Sequence, residues 1–226
     1  MFERINYKNQ AREQLKGKLK TPISAFVVTM AITAMAAGLP QENLDGTTGL
    51  ISFLLISFIN SVSFFAFLRI FIQIYNTKTK AEFSDFINSF SHFVKAFLGF
   101  LWFYLWVGLW SLLFFFPGIV KSFSYSQMFF VLAENPKISV SKAMNISKVL
   151  TRNHKGDLFL MSLSFLGWEF LSMLTLFILQ IWIKPYEAMS FTNAYYALKE
   201  EAFRTGSLTP ADFDFEKSTL RVNKSY

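Results

Sequence analysis

Residues 157–186 read DLFLMSLSFLGWEFLSMLTLFILQIWIKPY, and the 26 positions from 158 to 183 hold one ionisable side chain, Glu169. At about 1.5 Å per residue, a helix of that length reaches roughly 39 Å against a hydrocarbon core of about 30 Å. The stretch reads as one transmembrane helix, long enough to tilt, that stops at Pro185. With that anchor, the fold class reads as all-α. The expectation is a polytopic membrane helical bundle of about six transmembrane helices with two cytoplasmic amphipathic interfacial helices.

Composition agrees. With 53% hydrophobic residues and 29 Phe among 226, and a mean hydropathy of +0.35, the chain is too apolar for a water-soluble fold of its size. The net charge of +7 sits in the gaps between apolar runs, with no separate basic domain, which argues against nucleic acid. Those charges suit topology determinants and anionic lipid headgroups. With no Cys, disulfides, thiolate metal sites and cysteine nucleophiles are excluded. His92 and His154 are the two histidines, too few for a histidine-built metal site, and no cofactor motif is present.

Upstream of the anchor, residues 138–153 (ISVSKAMNISKVLTRN) place Ile138, Ala143, Met144, Ile146, Val149 and Leu150 on one side and Lys142, Lys148 and Arg152 on the other. Ser139 is the natural N-cap of this interfacial helix. Before it, residues 119–133 form a short span or a re-entrant hairpin, entered by a turn at Pro117-Gly118 that closes the span 97–116. Residues 80–95 recur in Phe at three- and four-residue spacing and read as the other interfacial helix. The span 49–75 carries Asn60 and Arg69, the latter expected to snorkel to the cytoplasmic interface.

Residues 41–48, with Glu42, Asp45 and no Lys or Arg, mark an external loop after the span 22–38, whose first turn accommodates Pro22. The first 20 residues are too long and polar for a signal peptide; they read either as a surface helix with Ile5, Ala11 and Leu15 on its apolar side or as a frayed polar tail. Downstream of the anchor, 186–200 crosses the membrane within the bundle or lies on its outer surface. The single transmembrane domain then covers 1–202, followed by a partly disordered cytoplasmic tail, 203–226.

Lys and Arg placement sets the orientation. With both termini cytoplasmic, 19 of the 22 fall inside, Arg69 lies at the inner boundary, and Lys121 and Lys184 lie near the outer one. The expected location is the bacterial cytoplasmic membrane, crossed many times. A faint parallel repeat pairs span, interfacial helix and span in each half, with Lys95-Ala96-Phe97 echoed by Lys155 to Phe159.

Counting from the helix ends brings Asn60, Gln127, Glu169 and Asn193 to similar depth near the midplane. A charge there costs about 2.5–3.5 kcal/mol, so Glu169 is expected to face the bundle in a polar cluster with the other three. The cluster serves either as glue between helices or as a path for a proton or polar solute. Lys184, Tyr186 and Glu187 form a trio expected at the outer interface.

The second half also resembles a known family. AENPKISVSKAMNISKVLTRNHKGDLFLMSLSFLGW and IWIKPYEAMSFTNAYY carry Asn135-Pro136, Ala143, Ser147, Lys155, Phe159, Gly167-Trp168 and Pro185-Tyr186, and Pro117-Gly118 with Tyr125 precedes them. This pattern resembles the bacterial integral-membrane family known as domain of unknown function 975, over roughly residues 1–200. Where members carry a Met-Lys-Gly-like step, this chain has Thr151 to His154. The resemblance implies a polytopic inner-membrane protein and assigns no activity.

Two functions compete. One is a non-enzymatic accessory or scaffold subunit of an envelope or export complex, docking another membrane protein or lipid headgroups through Lys142, Lys148, Arg152 and Lys155. The alternative is a small transporter or permease with Glu169 in a polar path. An enzyme lacks support, since there is no paired carboxylate, HExxH spacing or Gly-rich phosphate loop.

Overall fold

The computed structural model describes residues 2–37, 46–113 and 115–213, and every regular element among them is a helix. In order these are α1 (Arg4–Leu15), α2 (Lys20–Ala37), α3 (Gly46–Thr77), α4 (Phe83–Ser89), α5 (Phe93–Leu113), α6 (Phe115–Tyr125), α7 (Met128–Glu134), α8 (Val140–Leu150), α9 (Lys155–Leu174) and α10 (Gln180–Arg204). Short 3-10 turns cover Phe90–His92 and Pro210–Phe213. The expected loop at 41–48 lies largely outside the described residues, as does the tail from 214 onward.

Among the described residues, three stretches are long and apolar enough to cross a membrane: Leu54–Thr77, Phe83–Leu113 and Lys155–Leu174. That is fewer than the six expected, for local reasons. Among the described residues the apolar helix of α2 covers Lys20–Ala34. The segment 119–133 is divided at Ser126–Gln127 between α6 and α7, and α10 carries Lys184, Glu187, Lys199, Glu200, Glu201 and Arg204.

The largest correction falls on the anchor stretch. The helix expected over 158–184 ends at Leu174, turns through Thr175–Leu179 and restarts as α10, which runs through Pro185 instead of stopping there. Leu176 (φ 51°) and Phe177 (φ 65°) adopt the left-handed region. Phe177 N–H donates to the Ser172 carbonyl at 2.8 Å and Leu176 N–H to that of Met173 at 3.2 Å. This is the paired capping of last-turn carbonyls that usually places glycine first after the cap. Thr175 Oγ1 then accepts from Leu179 N–H at 3.3 Å, opening α10. With leucine in the glycine position, composition gave no sign of the break.

Helix α5 ends at Leu113 and α6 begins at Phe115, ahead of the turn expected at Pro117-Gly118. Pro117 is instead the third residue of α6, in the first turn where its missing N–H costs nothing. Gly118 is needed for close approach: a Cβ there would lie 3.0 Å from Ser111 Cα and closer still to Ser111 Oγ.

The interfacial segments are shorter than expected and pack against other helices. In place of 80–95, α4 covers Phe83–Ser89 and passes through the Phe90–His92 turn into α5. Glu82 N–H and Gln73 Nε2 both donate to Asp85 Oδ2, at 2.9 and 2.8 Å, holding α4 against α3. In place of 138–153, α8 covers Val140–Leu150, and Ser139 caps it as expected by accepting from Lys142 N–H at 3.3 Å. Its apolar side, with Ala143, Met144, Ile146 and Leu150 buried, enters the main core beside α7. α1 is helical, and lies on α10 through Tyr7, Ala11 and Leu15, while Ile5 remains 70% exposed.

One end of the molecule gathers distant pieces of chain. Phe2 stacks on His154 at 5.8 Å, His154 pairs with Asp157 and Glu201, and Asn135 Nδ2 donates to the Phe213 carbonyl at 2.7 Å. The outward faces of α5 and α9 leave Leu101, Leu105, Leu109, Leu163, Leu166 and Phe170 exposed, an apolar surface unsuited to water.

Candidate functional site

The break after α9 brings three ionisable groups together. Lys184 Nζ lies 2.6 Å from Glu169 Oε1 and 2.9 Å from Glu187 Oε2, and Gln180 Nε2 donates to Glu169 Oε2 at 3.1 Å. All three charged side chains are about one-quarter to one-third exposed. Lys184 and Glu187 also line a cavity of about 500 Å³ between α2, α3, α5, α7 and α10. Its walls are mainly phenylalanine, including Phe26, Phe67, Phe129 and Phe191, with Thr29, Asn60, Ser63 and Ser126 as further polar groups. Lys184 and Glu187 face this aromatic chamber and Glu169 stands behind Lys184; with both carboxylates ionised, the trio carries one net negative charge.

The four residues expected to meet at the midplane divide between settings. Asn60 lines the cavity, accepts from Thr33 Oγ1 at 3.1 Å and donates to the Ile56 carbonyl at 2.9 Å. Glu169 reaches the cavity through Lys184. Gln127 is buried and donates to Ser126 Oγ at 3.1 Å, so it touches the cavity wall only through that hydroxyl; its Oε1 has no partner among the described residues. Asn193 is committed elsewhere, with Nδ2 donating to the Tyr7 carbonyl at 3.0 Å and holding α1 on α10. In the expected outer trio Lys184 and Glu187 pair, while Tyr186 packs its ring edge-on to Phe165 at 5.6 Å.

Of the expected docking face, Lys148 and Arg152 are exposed and Lys142 and Lys155 half-buried. Lys148 Nζ donates to Asn145 Oδ1 at 3.1 Å.

A second polar group escaped the sequence reading. Glu134, at the end of α7, accepts from Lys199 Nζ and Tyr195 OH on Oε2, each at 2.6 Å, and from Tyr196 OH on Oε1 at 3.1 Å. Tyr75 of α3 stacks on Tyr196 at 3.9 Å, with the rings nearly parallel. Glu134 and Lys199 are buried to about nine-tenths. Sixty-five positions separate them, so the signals were a helix-ending Glu and a basic residue near a helix terminus, neither pointing to the other. Arg69, expected to snorkel, is half-buried and donates to the Ala133 carbonyl at 3.3 Å. This cluster satisfies its own groups and joins α3, α7 and α10.

Among the described residues, no group of three His, Asp or Glu side chains is arranged to hold a metal ion. The family described as protein of unknown function (DUF975) matches residues 1–121 and 113–202. Among curated proteins and among solved structures, nothing matches the chain.

Proposed function

The chain belongs to the DUF975 family, and from that premise we propose a six-crossing membrane protein that binds, and carries, an apolar solute bearing a positive charge. It acts without covalent chemistry. The crossings are α2, α3, α5, α6 with α7, α9 and α10, and both termini are cytoplasmic in the bacterial inner membrane. The contacts of Phe2 and Glu201 with His154 support an even number of crossings, because they hold the N-terminus, the start of α9 and the end of α10 at one end. The Lys and Arg of residues 78–95, 137–155 and 199–224 support the orientation. The absence of Cys makes the test clean: Ile178→Cys should react with a membrane-impermeant maleimide on intact cells, and Ser207→Cys only after lysis. The reverse pattern rejects the arrangement.

The observation that carries the solute reading is the cavity itself. An aromatic wall attracts a cation through the ring faces, and the net charge of Glu169, Lys184 and Glu187 favours the same sign. A packed interior would have favoured the accessory-subunit reading instead. Equilibrium binding of tetraphenylphosphonium to the purified protein, compared with tetraphenylborate of similar size and opposite charge, tests it. Saturable binding of the cation alone is expected; equal binding of both ions, or of neither, rejects the reading.

A further inference from the structure

A second groove lies on the other side of α10. It encloses about 590 Å³ between α1 and the α9–α10 turn, with Trp168, Leu179, Trp182 and Ile183 on its apolar walls and Arg12 and Lys16 at its basic rim. Trp168 and Trp182 are each about half exposed, a large aromatic area left uncovered.

The basic rim belongs to a longer row. Arg4, Lys8 and Arg12 recur at four-residue spacing along one side of α1, and Lys16 follows at its C-cap. Like charges at that spacing repel, and a helix keeps such a row at a cost unless an anion answers it. Lys8 records the crowding: burial first, then Arg4 and Arg12, push its ammonium below the usual lysine range. Lys8 is turned toward α9, with its Nζ 3.1 Å from Ser164 Oγ and 4.2 Å from the centre of the Phe165 ring. Among the described residues no carboxylate forms an ion pair with Arg12 or Lys16, although Glu13 also borders the groove.

We propose that this groove holds one anionic phospholipid, its phosphate between Arg12 and Lys16 and an acyl chain along Trp168, Leu179 and Trp182. A guanidinium matches phosphate oxygens in a two-point arrangement, and the apolar wall at Trp168 continues along the same face of α9 to Leu171, one turn on and also exposed. A protein partner would need no such continuity with the lipid-facing surface. The assignment rests on the membrane reading above and is independent of the solute in the other cavity.

Tryptophan fluorescence tests it. The chain has five Trp, and replacing Trp102, Trp106 and Trp110 by Phe leaves only the pair in the groove. Brominated phosphatidylglycerol should quench that pair with an apparent affinity about tenfold above brominated phosphatidylcholine, and R12Q/K16Q should abolish the difference. The same lipids added to the chain with all its Trp should reproduce the preference as a higher melting temperature, which keeps the test valid if the Phe variant folds poorly. Quenching and melting that ignore the headgroup, or a preference unchanged in R12Q/K16Q, overturn the site. Cysteine labelling reads the crossings separately, so this failure is distinguishable from failure of the topology.

Discussion

Lys184 follows Glu169 by fifteen residues, yet its Nζ lies 2.6 Å from the Glu169 carboxylate. On an unbroken helix their Cα atoms would stand about 22 Å apart. The left-handed pair Leu176 and Phe177 folds α10 back toward α9 and makes the contact. Because Lys184 also bonds Glu187, K184M leaves two carboxylates without their shared cation. It should destabilise the protein by about 1–3 kcal/mol, and E169Q by less, since the amide still accepts from Lys184. Thermal unfolding in detergent separates the two.

The same trio sets the sign of the cavity. Removing one negative charge in E187Q should weaken tetraphenylphosphonium binding about tenfold, the equivalent of about 1.4 kcal/mol, while K184M, if folded, should tighten it. Parallel losses in both variants would contradict an electrostatic origin.

Glu134 and Lys199 are the more deeply buried pair, with two tyrosine hydroxyls on the same carboxylate. Removing one partner leaves a buried charge unanswered, so K199M should cost about 3–5 kcal/mol. The double replacement E134L/K199M should recover part of that loss. A double-mutant cycle on unfolding free energies measures the coupling.

Gly118 of α6 faces Ser111 of α5 with no room for a Cβ. G118A should force the hairpin apart and cost about 1–3 kcal/mol, as overpacking does. Adding S111G should relieve part of the clash, which melting temperatures of the three variants will read.

Several features were legible from sequence because they are local. Helical class follows from long apolar runs, the cap at Ser139 from a hydroxyl beside an amphipathic pattern, and the buried side of α8 from its period. The family was legible from short motifs that the match over 1–202 bears out. Of the candidate site, the sequence supplied Glu169, Asn60, Lys184 and Glu187 as individual polar residues in apolar surroundings. Tertiary structure alone decided which of them meet. A left-handed turn at Leu176 has no glycine to announce it, and ion pairs spanning 15 and 65 positions form only once helices pack. Periodicity and capping report what a residue does with its near neighbours, whereas a cavity and its charges are set by distances between helices that no local pattern encodes.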